Sequence, residues 1–190
     1  MKEVLKKIAS SLRALGFRGS GQLYRKREGD FVFVINFQGS KWGDRFFVNL
    51  GAQPVFIPAE GNADLTKLKE YECVFRNRVG EDWPWRMSDE LFVRLETAVL
   101  SAQDAFFENA KTLPAALETD GPHDLLKKFS DEATQVRAIL HLARAAVWLG
   151  HIETAQKLIS LGKELASARA DTYRTELDNV LGEKTKNLPS

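Results

Sequence analysis

Cysteine is nearly absent, histidine is sparse and long apolar runs are missing, and each shortage removes a class of function. The one cysteine, Cys73, cannot form an internal disulfide, which excludes a disulfide-stapled scaffold. His123, His141 and His151 show no metal-ligand spacing with one another or with Cys73, so no metal is expected and nothing points to another cofactor. The glycines of RGSG and SKWG lack phosphate-loop spacing and read as turn residues. No apolar run approaches the roughly 18 residues of a membrane span, and residues 1–17 are amphipathic without the continuous apolar core of a secretion signal. A cytoplasmic protein with no membrane partner is the expectation.

What remains is the composition of a packed, globular chain, 44% hydrophobic and 28% charged. At 190 residues it suits one ordinary domain. The net charge of +1 conceals an asymmetry. In residues 1–87, 15 Lys plus Arg face 10 Asp plus Glu, a net of +5, and in residues 88–190 the counts are 12 and 16, a net of −4. The basic part is strand-like and the acidic part helix-like, so the former could attract an anionic partner, although an imbalance of this size also suits plain solvated surface.

Two hairpins dominate the basic part. Val4, Leu5, Ile8, Leu12 and Leu15 recur at helical spacing before Gly16 stops a first helix. Residues 22–28 then read as a strand, and Gly29 with Asp30 as a two-residue turn into Phe31. That turn sets Arg27 opposite Val32, Arg25 opposite Val34 and Leu23 opposite Asn36. Phe33, Ile35 and Phe37 alternate with Val34, Asn36 and Gln38, and Phe46, Val48 and Leu50 resume the apolar set after a loop of residues 41–44. Keeping both apolar sets together places Asn49 opposite Asn36. Residues 71–79 alternate again, with Tyr71, Cys73, Phe75 and Val79 on one side and Glu72, Val74, Arg76 and Arg78 on the other. Beside Tyr71 and Phe75, Cys73 reads as a small buried hydrophobe rather than as a nucleophile, whose base would have to come from a distant histidine.

From Ser88 the apolar period lengthens to that of a helix. Ser88 caps a stripe of Leu91, Phe92, Leu95, Val99, Ala102 and Phe106, and Pro114 ends or bends that helix. Pro122 opens a short helix, Ser130 and Gly150 bracket a longer one, and residues 152–168 and 171–181 supply two more. LGHIETA resembles the turn of a tetratricopeptide hairpin, but a single unit does not make a repeat array.

The amide-bearing face is the candidate site. Arg25, Arg27, Asn36, Gln38 and Asn49 share it, Arg76 and Arg78 extend it if their strand joins the sheet, and Trp42 stands at a hairpin tip. Guanidinium forks suit carboxylate or phosphate. Equally, an antiparallel sheet with one wet face puts polar residues there without a function, and Asn and Gln within strands can hold a neighbouring loop. Trp42 either stacks on a ligand or partner or folds over the sheet edge. Trp83 and Trp85 are expected to pack on the helix that follows them.

Four segments in order, GFRGSGQLYRKR, VINFQGSKWG, FFVNLG and CVFRNRVGEDWPW, span roughly the first ninety residues. Together they resemble a bacterial domain-of-unknown-function family marked by a GF-to-aromatic-Arg opening, an N-x-Q-x-S-x-W strand and turn, a VNLG strand, and a Cys-to-Arg-x-Arg run ending in tryptophans. Pro84, between Trp83 and Trp85, departs from that pattern. The resemblance implies no reaction or catalytic residue; by analogy with relatives beside bacterial toxins, it implies an immunity or binding role.

The expected architecture is α+β: an N-terminal helix and an antiparallel sheet of about four strands packed against a helical C-terminal half, with a sheet region of residues 1–87 and a helical region of residues 88–190 in one continuous domain. The expected function is a cytosolic protein-binding module, in narrower form an immunity-type inhibitor of a toxin enzyme. The alternative is a nucleic-acid or nucleotide-binding protein that uses the arginine face. No constellation names a reaction, so a non-enzyme is favoured over a hydrolase.

Overall fold

In the computed structural model, which describes residues 2–41, 43–130, 135–166 and 171–183, the chain opens with helix α1, Lys2–Ala14. Val4, Leu5, Ile8, Ala9 and Leu12 form its buried stripe. Leu15, expected in that stripe, is exposed because the helix has already ended. The Phe17 N–H donates to the Leu12 carbonyl and the Gly16 N–H to that of Arg13, both at 3.0 Å. Gly16 supports this closure at a φ of 87°, and Phe17 is turned into the core.

Six antiparallel strands follow: β1 (Arg18–Ser20), β2 (Leu23–Glu28), β3 (Phe31–Gly39), β4 (Arg45–Pro54), β5 (Phe75–Arg78) and β6 (Trp83–Pro84). Their order is β1-β2-β3-β4-β5, with β6 also paired to β4. The sheet exceeds the expected four strands by β1 and β6, which at three and two residues are too short for alternation to reveal. The hairpin registers are those set by turn length and parity: Leu23 faces Asn36, Arg25 faces Val34, and Asn36 faces Asn49. Ser40 donates to the Arg45 carbonyl at 2.8 Å and closes the loop of residues 41–44.

One face of this sheet is the core of the first compact unit, Met1–Glu108. Phe33, Ile35, Phe37, Phe46, Val48 and Leu50 are all buried there. Tyr24 meets Phe37 edge-on, Phe37 meets Phe46, and the Trp85 ring stacks on Phe46 at 4.0 Å. The contact found for Trp85 is thus with the sheet. Helix α2, Asp89–Lys111, starts where the Ser88 hydroxyl accepts the Leu91 N–H. It lies on the apolar face through Phe107, whose ring stacks on Phe33 at 4.3 Å; Phe107 is buried, whereas the expected Phe106 is half-buried. Lys7 with Asp89, and Ser11 with Glu96, tie α1 to α2.

The second unit, Asn109–Ser190, is helical. Pro114 lies in the first turn of α3 (Leu113–Thr119), and Pro122 begins α4 (Pro122–Phe129). Helix α5, Gln135–Leu149, is central, with nine of its fifteen residues buried; Ser130, the expected cap at its start, is the residue that follows α4, where its N–H and hydroxyl both donate to the Leu126 carbonyl at 2.9 Å, and residues 131–134 lie outside those described. Gly150 ends it at a φ of 90°, with His151 donating to the Ala146 carbonyl. Helices α6 (Ile152–Leu165) and α7 (Asp171–Glu183) pack on α5 and on each other. A Cβ at Gly162 would come within 2.8 Å of both Ile139 and Leu177, so glycine permits that approach.

Candidate binding surface

The second face of the sheet carries Arg25, Arg27, Val32, Val34, Asn36, Gln38, Phe47, Asn49, Gly51, Gln53, Arg76 and Arg78, as the strand registers require. It is divided in two. Over one part, residues 55–74 fold back and pack Ala59, Leu68 and Cys73 onto Val32 and Val34, with Leu23, Val55, Ala63 and Leu65 at the margin. Gly51 lies directly beneath, where a Cβ would sit 2.6 Å from Cys73 Sγ and 3.1 Å from Glu70 Cα. This corrects the expected strand of residues 71–79, because only Phe75–Arg78 is strand. Residues 70–72 form a 3-10 turn in which the Glu72 carboxylate accepts the Lys69 N–H at 2.7 Å. Cys73 is therefore buried on the opposite face from Phe75, and Tyr71 is 51% exposed.

Side chains on the covered part serve as fasteners. Gln53, wholly buried, donates to the carbonyls of Pro54 and Ile57 and accepts the Val74 N–H at 3.1 Å, so one amide satisfies three backbone groups, two of them in the covering segment. Arg25 donates through Nε to the Leu68 carbonyl and through Nη2 to that of Lys67. Asn36 donates to the buried Glu70 carboxylate at 2.9 Å. Asp64 caps a turn of the same segment: its carboxylate accepts the Thr66 N–H and hydroxyl, and the backbone bond above all lowers its pKa. The sequence signal for this cover was available in Val32, Val34 and Gly51, two apolar residues and a side-chain-free position on a face read as wet.

The other part is open. Asn49 donates to Gln38 at 2.8 Å and accepts from Arg78 Nε at 2.9 Å. The Arg78 guanidinium lies 4.4 Å from the centre of the Phe47 ring. Arg76 donates to the Tyr71 carbonyl, and the Tyr71 hydroxyl accepts from Lys69, a bond that is the main cause of that lysine's raised pKa. Gln38, Arg76 and Arg78 are exposed. Among the described residues, Arg76 and Arg78 form no ion pair. Gln38, Asn49, Arg76 and Arg78 are thus brought together, with Phe47 and Tyr71 added. Arg25 is committed to the cover, Asn36 to Glu70, and exposed Arg27 stands on β2 with the covered strip between it and β5. Trp42 lies outside the described residues.

The open part offers two guanidinium groups, the Gln38 amide and two aromatic rings, with the buried Asn49 amide holding Gln38 and Arg78 from beneath, which suits binding of carboxylates or phosphates. Among the described residues, no three His, Cys, Asp or Glu side chains gather as metal ligands, and no helix is long and apolar enough to cross a membrane. No curated protein and no solved structure matches the chain. Residues 8–90, which include the whole sheet and its cover, match the family model "Domain of unknown function (DUF4304)", so this segment of the chain is similar to that family.

Proposed function

We propose that the protein is a cytosolic protein-binding module that engages an acidic surface of its partner through the open part of the second sheet face. The observation that supports this is the state of Arg78, exposed and without a carboxylate among the described residues, yet held by the Phe47 ring and the Asn49 amide. A guanidinium fixed in this way loses less freedom on meeting a carboxylate than a loose one does. An immunity-type inhibitor of a bacterial toxin enzyme is the narrower form of the same reading, drawn from the family analogy.

The test is charge reversal at Arg76 and Arg78, with partner captured from lysate and titrated against each variant. Arg76→Glu is expected to weaken binding about tenfold or more while moving the melting temperature by less than about 2 °C, since an exposed arginine adds little stability but much complementarity. Unchanged affinity in both variants would remove the surface from consideration. Binding that instead goes to nucleic acid, and falls steeply with salt, would favour the nucleotide reading.

A further inference from the structure

The outer edge of β5 borders the open part of this face, and its hydrogen-bonding groups can be assigned from the ladder. The Val79 N–H donates to the Val48 carbonyl at 2.9 Å, and Asn77 faces Leu50, so residues 75, 77 and 79 turn their backbone groups toward β4. Arg76 and Arg78, opposite Gly51 and Asn49, therefore turn theirs away from the sheet. The Arg78 N–H is taken by the Asn77 side chain at 2.8 Å. That leaves the Arg76 N–H and carbonyl and the Arg78 carbonyl facing outward. Along β6, the corresponding outward position opposite Arg45 is Pro84, which has no N–H to offer. The edge is thus open at β5 and lacks a donor at Pro84, and its open stretch is flanked by two exposed arginines on one face.

We infer that β5 accepts an extended acidic segment of the partner protein as an added antiparallel strand. This rests on the reading of the arginine face above and specifies how that face is used. A glutamate opposite Arg76 would exchange both backbone bonds with it and place its carboxylate on the arginine side. A second glutamate two residues away would donate its N–H to the Arg78 carbonyl and meet the Arg78 guanidinium. The intervening residues would turn their N–H groups to solvent.

The probe is the peptide acetyl-Val-Glu-Val-Glu-Val-Glu-Val-amide, titrated against the full chain, beside two versions N-methylated at every glutamate or at every internal valine. The charges are identical in all three. The expected result is that the parent and the valine-methylated peptides bind alike, the glutamate-methylated one binds about tenfold or more weakly, and the Arg76 amide gains hydrogen-exchange protection in the complex. Arg76→Pro, which deletes the outward N–H, should lose more affinity than Arg76→Gln, which keeps it. If Arg76→Pro fails to fold, the methylated peptides carry the test alone.

Equal binding of all three peptides, abolished by Arg78→Glu, overturns strand addition and leaves the arginine surface standing. No binding of the parent peptide at millimolar concentration also overturns strand addition, and the reversal variants against captured partner then decide the surface separately. A dimer of the chain itself, seen in sedimentation and lost in Arg76→Pro, overturns the inference in favour of edge-to-edge self-pairing.

Discussion

Phe37 is wholly buried between Tyr24 and Phe46, so Phe37→Ala removes a ring at the centre of the sheet's apolar face. The expected cost is about 3–5 kcal/mol in a denaturant titration, and a loss below about 1 kcal/mol would place the ring outside the core. Gly51 tests the covered part of the other face. Gly51→Ala drives a methyl group into Cys73 and should cost about 1–3 kcal/mol. Cys73→Ala removes the sulfur but leaves its Cβ, so the double variant should recover part of that loss, with a coupling of about 0.5 kcal/mol or more. Strict additivity would mean that the cover does not press on Gly51.

At the scale of elements, the β2–β3 and β3–β4 registers were legible because turn length and the alternation of Phe33, Ile35 and Phe37 with Val34, Asn36 and Gln38 leave only one pairing that keeps the apolar set inside. The strand at residues 71–79 was misread over its first half because alternation in a short stretch also suits a turn. There, the Lys69 and Glu72 bond holds residues 70–72 in a 3-10 turn instead. The junction of α1 with the start of α2 yields a pH prediction. The Lys7 bond to Asp89 is the main cause of both shifts, lowering the Asp89 pKa and raising that of Lys7. The contribution of Asp89 is present above the ordinary carboxylate pKa and fades as pH falls through its lowered value. That of Lys7 is complete below the ordinary lysine pKa and fades as pH rises through its raised one. Both groups are exposed, so the effect is small. Lys7→Gln should lower the melting temperature slightly at neutral pH and by less at pH 2. An equal loss at both pH values would point to lost packing on Phe92, which Lys7 also overlies.

For the whole molecule, the sheet and its cover lie, with α1 and α2 as far as Glu108, in the first compact unit, and the matched family segment lies inside it. Which residues share the amide face was legible from parity; which of them remain available was not, because residues 53–62, with their Pro, Gly and Asn, read in sequence as a connection and residues 71–74 as part of a strand, and neither pattern shows that the segment folds back over the face. Arg25 and Arg78 are indistinguishable by pattern and differ only in what lies over them. The central claim, that one sheet face is divided between structure and binding, is tested most directly by thermal melts of Arg25→Ala and Arg78→Ala side by side. Arg25→Ala should lower the melting temperature by about 5–10 °C through loss of its bonds to the Lys67 and Leu68 carbonyls, and Arg78→Ala by less than about 3 °C. Equal shifts, or a larger one for Arg78, would contradict the division.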